Sequence, residues 1–123
     1  MPNHVTKQFM ECLNSTNEPF FTTETQFVSG SFLLTVLPNL DAEIVRSYRL
    51  EFPADDRLNE CPYPFLLLTY LFDLDALIAL RPRVSQAFKD GSSLTDRIEG
   101  WEFRLFPERH HWVMEVEVMS RDV

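Results

Sequence analysis

The alternation of apolar and polar positions is strictest near the C-terminal end of the chain. Over 100–118, the runs GWEFRLF and HWVMEVEV are joined by Pro107, Glu108, Arg109 and His110. Successive strand residues point to opposite faces. Trp101, Phe103 and Leu105 therefore line one face of the first run, and Trp112, Met114, Val116 and Val118 one face of the second. Glu102, Arg104, Glu115 and Glu117 take the other side. The pattern predicts an antiparallel hairpin over 101–106 and 111–118 with one buried and one wet face.

Upstream, residues 4–13 place Val5, Phe9, Cys12 and Leu13 at helical spacing, between the start signals Pro2 and Asn3 and the stop Asn14-Ser15. From 19 to 37 the pattern is β. FFTTETQFV and SFLLTVL are rich in Thr, Phe and Val, with Gly30 as the turn between them. Phe21, Thr23, Thr25 and Phe27 would share one face; Phe32, Leu34 and Val36 would share another. Residues 43–52 predict a third strand, with Ile44, Tyr48, Leu50 and Phe52 on one side and Val45, Ser47, Arg49 and Glu51 on the other. A short helix at 41–47 is the alternative. The stretch 53–62 is a polar loop bounded by prolines.

PFLLLTYLFDLDALIAL, residues 64–80, is apolar on nearly every face, and its length favours a buried helix over a strand. Asp73 or Asp75 would cap a new helix after a break. A kink or restart is expected at Pro82, and Gly91 is placed to end the helix. Residues 92–99 read as a connector. Strands cluster instead of alternating with helices, which predicts an α+β fold. The expectation is one domain over 1–123, a mostly antiparallel sheet of about five strands, and helices packed on one face. Helix 64–80 would cover the apolar side of the closing hairpin.

Composition narrows the function classes. Eleven Phe and 45% apolar residues supply a core. Three Gly leave little material for a Gly-rich phosphate loop. Nineteen Asp and Glu against eleven Lys and Arg give a formal charge of −8. That balance attracts cationic partners and has the wrong sign for nucleic acid. Residues 1–16 lack a basic start followed by an apolar run, so no signal peptide is expected. Residues 64–80, interrupted by Asp73 and Asp75, are too short and too charged to span a bilayer. Two cysteines make no disulfide framework. The expectation is a cytoplasmic protein with reduced thiols, bound to neither nucleic acid nor membrane.

Candidate catalytic groups are sparse. Zinc sites need three or four ligands at usable spacing, and no HxH, CxxC or HExxH occurs. His110-His111 is the one histidine pair, and neighbours on a strand point apart. Cys12 and Cys61 carry no local signature of a nucleophile, and no GxSxG elbow is present. No catalytic residue, metal or cofactor is expected. Acidic groups are plentiful instead. Asp55, Asp56 and Glu60 sit in the polar loop, where recognition residues are often carried. Glu115 and Glu117 share the wet face of the last strand, about 7 Å apart. These five are the candidate partner-binding residues.

In its size, its acidity, its α+β layout and its closing hairpin GWEFRLFPERHHWVMEVEV, the chain resembles small acidic bacterial immunity proteins of contact-dependent and polymorphic toxin systems. That resemblance implies a non-enzymatic cytoplasmic protein that binds one cognate toxin, commonly a basic nuclease, and occludes its active site. Other acidic binders, such as a phage inhibitor, a secretion chaperone or an assembly subunit, fit the same charge. A small-molecule enzyme or ligand-binding domain is the third class.

Overall fold

The computed structural model describes residues 4–14, 20–53 and 63–119. Among these, ten elements follow in the order α1 (His4–Asn14), β1 (Phe20–Thr22), β2 (Gln26–Ser29), β3 (Phe32–Leu37), β4 (Ser47–Pro53), α2 (Tyr63–Leu71), α3 (Leu74–Asp90), β5 (Leu94–Ile98), β6 (Trp101–Pro107) and β7 (His111–Val118). The strands form one antiparallel sheet in the order β1-β2-β3-β4-β7-β6-β5. The fold is α+β, with seven described strands where the sequence suggested about five. Two hairpin series run towards each other and meet where β4 pairs with β7. No helix among the described residues is long and apolar enough to cross a membrane.

The additional strands come from two misread stretches. The first β run is split, because the Thr23 hydroxyl accepts from the Gln26 N–H at 3.0 Å and the Thr23 N–H donates to the Gln26 carbonyl. A threonine closing a turn on its own backbone competes with the strand ladder. The reversal separates Phe21, 71% exposed, from Phe27, which is fully buried, so the two do not share the expected face. The supposed connector 92–99 contains the edge strand β5. Its alternation is masked by Asp96, which stands between Leu94 and Ile98 and pairs with Arg83 of α3.

Two further expectations change. Strand β4 begins at Ser47, not at 43, because Asn39 closes a turn with the N–H groups of Asp41 and Ala42. The phase is lost through that turn: Val45 is buried and Ile44 is 76% exposed. The 41–47 helix does not form. Helix α3 runs through Pro82 without restarting. Proline in a helix interior costs about 3 kcal/mol or more. Leu80, Val84, Ala87 and Phe88 are buried on either side of it, and their burial holds the helix together. Asp73 caps α3 through the Ala76 N–H at 2.9 Å, and Gly91 ends it at φ 66°, a left-handed conformation that glycine adopts without a Cβ clash.

The core gathers Tyr48, Leu50 and Phe52 of β4, Phe103 and Leu105 of β6, Trp112, Met114 and Val116 of β7, and buried side chains from all three helices. Phe88 of α3 meets Trp112 and Phe52 edge-on, with centroids at 5.0 and 5.9 Å. Thr6 of α1 and the buried Tyr48 hydroxyl share a 3.1 Å hydrogen bond. Burial raises the Tyr48 pKa, with Thr6 pulling weakly the other way. The Cys12 sulfur lies 3.1 Å from the Tyr70 hydroxyl and links α1 to α2.

Candidate functional site: the charged face of the sheet

The side of the sheet opposite the aromatic core is built by the same alternation. On β4 it receives Ser47, Arg49 and Glu51; on β7, His111, Val113, Glu115 and Glu117; on β6, Glu102, Arg104 and Phe106. Register then sets the neighbours. Glu115 lies directly between Arg49 of β4 and Arg104 of β6. Its two oxygens divide between them: Oε2 lies 3.3 Å from Arg49 Nη1 and Oε1 lies 3.4 Å from Arg104 Nε. Opposite charges across a ladder stabilise pairing, and like charges oppose it. Glu102 and Glu117 are such a like pair, and Arg104 offsets their repulsion by contacting Glu102 at 3.3 Å and Glu117 at 3.1 Å.

The arginines answer this environment. Partial burial pulls the Arg104 guanidinium down. The hydrogen bond to Glu117 and the charges of Glu115, Glu102 and Glu117 outweigh it and hold the group above its ordinary range. Arg49 reaches outward from Glu115 to Glu51 and Glu108, at 3.7 Å each. Beyond it, His111 Nε2 lies 3.2 Å from Glu51 and 3.0 Å from Glu108. Glu108 belongs to the turn after β6, which is closed by its N–H donating to the His111 carbonyl at 2.7 Å. Glu51, Glu108 and His111 thus bring three ligand atoms within 4.8 Å of one another. Val113 is fully buried in the middle of these charges, outside the main core cluster.

Five carboxylates, Glu51, Glu102, Glu108, Glu115 and Glu117, therefore share this face with Arg49, Arg104 and His111, and Arg97 of β5 stands directly opposite Glu102. Against the three arginines, the five carboxylates leave two negative charges unbalanced on this surface. At one end this face meets a cleft of about 660 Å³ whose lining includes Leu37, Ile44, Arg46, Glu117 and Val118. Leu37, Ile44 and Val118 are exposed there, so the acidic surface borders an aliphatic one. A separate cleft of about 340 Å³ lies between α1 and β1, lined by Lys7, Glu11 and Asp41 among others.

The sequence-based candidates fare unevenly. Glu115 and Glu117 do lie together on the side away from the core, but in different roles: Glu115 is the internal bridge between two arginines, whereas Glu117 is about half exposed. Asp55, Asp56 and Glu60 lie outside the described residues, as does Cys61. Sequence reasoning passed over Glu51, Glu108, His111 and the bridging role of Arg49. The phase of β4 did put Arg49 and Glu51 on one side. What was missing was the β4–β7 pairing, which joins residues 66 apart in the Arg49–Glu115 contact. No protein-family model matches the chain, and comparison with curated proteins and with solved structures gives no match either.

Proposed function

We propose that this protein is a binder of a basic protein partner, and that it acts as an immunity protein neutralising a cognate toxin domain by covering its active site. In this reading the helices occupy the apolar side of the sheet, and the charged side is left to the partner. The supporting observation is the surplus of carboxylates, oriented by Arg49 and Arg104, beside the exposed Leu37, Ile44 and Val118. An apolar patch bordered by charged groups suits protein recognition. Acids already oriented by arginines lose little side-chain entropy on binding, and opposite charge accelerates encounter and sets register.

The test is capture with the purified product of the neighbouring open reading frame, followed by association kinetics at low and high salt. A basic toxin domain should bind, lose its activity, and associate more slowly as salt rises. Glu117→Lys with Glu102→Lys should slow association while leaving the fold intact. A partner that associates at a rate indifferent to salt and to both reversals would overturn the assignment of this face.

A further inference from the structure

We propose that Glu51, Glu108 and His111 form a zinc site at the edge of the charged face. One imidazole nitrogen and two carboxylate oxygens are a donor set that zinc accepts. Zinc holds such atoms at about 2.0–2.2 Å in a tetrahedron, which places neighbouring ligand atoms roughly 3.3–3.5 Å apart. His111 Nε2 stands 3.2 Å from Glu51 Oε1 and 3.0 Å from Glu108 Oε2, close to that edge length, and all three donor atoms lie within 4.8 Å of one another.

The hydrogen bonding points the same way. His111 Nε2 is shielded from solvent, yet neither oxygen lies where a ring N–H on that nitrogen could donate to it. A proton on Nε2 would therefore go unsatisfied. Without that proton, its lone pair would face two carboxylate oxygens with no positive charge between them, which is unfavourable at a nitrogen shielded from solvent. A cation held by all three atoms removes the conflict.

The surroundings resemble an outer coordination shell. Each carboxylate turns one oxygen to His111 and the other to Arg49: Glu51 Oε2 to Nε and Glu108 Oε1 to Nη2, at 3.7 Å each. Groups that hold the outer oxygens of a ligating carboxylate fix its orientation. The ligands come from β4, the turn after β6 and the first residue of β7, so the ladder and the turn's 2.7 Å hydrogen bond position them. A cleft of about 410 Å³, lined in part by Glu51, His110 and His111, adjoins the site and gives access to the metal and to a fourth ligand.

The site shares Glu51 and Glu108 with the charged face, and it is tested on the protein alone, without a partner. Protein purified without a histidine tag is stripped with EDTA and titrated with zinc chloride by calorimetry, and its melting temperature is read with zinc, magnesium or calcium. One zinc per chain should bind and raise the melting temperature; magnesium and calcium should not. His111→Gln and Glu108→Gln should each weaken zinc binding about tenfold or more, while His110→Ala should bind as the parent does. Cobalt in place of zinc should develop a visible absorption band that His111→Gln loses. Glu108 lies on an exposed turn, so Glu108→Gln serves if His111→Gln fails to fold by circular dichroism. A parent protein that binds no zinc, or Gln variants that bind it undiminished, would overturn the site.

Discussion

The two faces of the β4–β7–β6 ladder share strands and registers, yet different forces hold them. On one face Tyr48, Leu50, Phe52, Phe103, Leu105, Trp112, Met114 and Val116 are almost wholly out of water. On the other, Arg49, Glu51, Arg104 and Glu115 remain partly exposed and hold one another by charge. Burial of apolar area is non-directional and scales with size, so the first face depends on volume. Partly solvated ion pairs contribute little each; the second face depends on orientation, and its energetic worth shows more in what it binds than in how it folds. Val113 joins the two regimes, an aliphatic side chain buried beneath a charged surface.

The sharpest break should come from Trp112→Ala. It removes the ring that meets Phe88 edge-on and should cost about 3–5 kcal/mol in urea unfolding. A near-neutral result would mean that the aromatic face is not the core. Next in size is Val113→Ala, which tests whether the charged face has any core of its own. Two methyl groups are lost from a fully buried site, and about 1–2 kcal/mol is expected. An effect indistinguishable from that of an exposed valine would show that the charges do not shield it.

Glu115→Gln should cost less than either, about 0.5–1 kcal/mol, although it loosens contacts to both arginines. That cost should shrink as salt is raised, whereas the Trp112 deficit should persist. A Glu115 effect as large as that of Trp112 and unmoved by salt would erase the distinction between the faces.

The smallest effect lies away from both faces, at the start of α3, and serves as a reference for an exposed charge. The Ala76 N–H, helped by Glu99, holds Asp73 below the ordinary carboxylate range. Hydrogen bonding to Asp73, with some burial, pushes Glu99 above it. Asp73 therefore contributes stability that is complete above its unfolded pKa and fades as pH falls through its lower folded pKa. Glu99 acts in the opposite sense: its contribution is complete below its unfolded pKa and is lost as pH rises through its raised folded pKa. The contribution these two groups make to the melting temperature, read as the difference between parent and variant, should be greatest between the two windows. Glu99→Gln should abolish the fall on the alkaline side, and Asp73→Asn the rise on the acid side.

The closing hairpin was legible because it is local. A period of two over seven or eight residues, joined by a short turn, leaves one register that buries Trp112, Phe103 and Leu105 together. The α3 cap and its glycine end were legible for the same reason, since capping acts within one turn of helix. Strand β5 was not legible, because Asp96 reads as solvent-facing until Arg83, on a helix that precedes it, is placed opposite. Ile44 and Val45 were assigned the wrong way round because periodicity does not carry phase through a turn such as the one at Asn39.

By itself, the sequence determined the alternation of the closing hairpin, the capped start and glycine end of α3, and that Glu115 and Glu117 face away from the core. Only the tertiary structure decided that β4 lies against β7. That pairing turns scattered acids into an arginine-held surface and brings Glu51 to Glu108 and His111. The physical reason is range: alternation and capping are set by neighbours a few residues apart, whereas a charge cluster built from residues 49, 51, 104, 108, 111 and 115 exists only once the sheet's strand order is chosen.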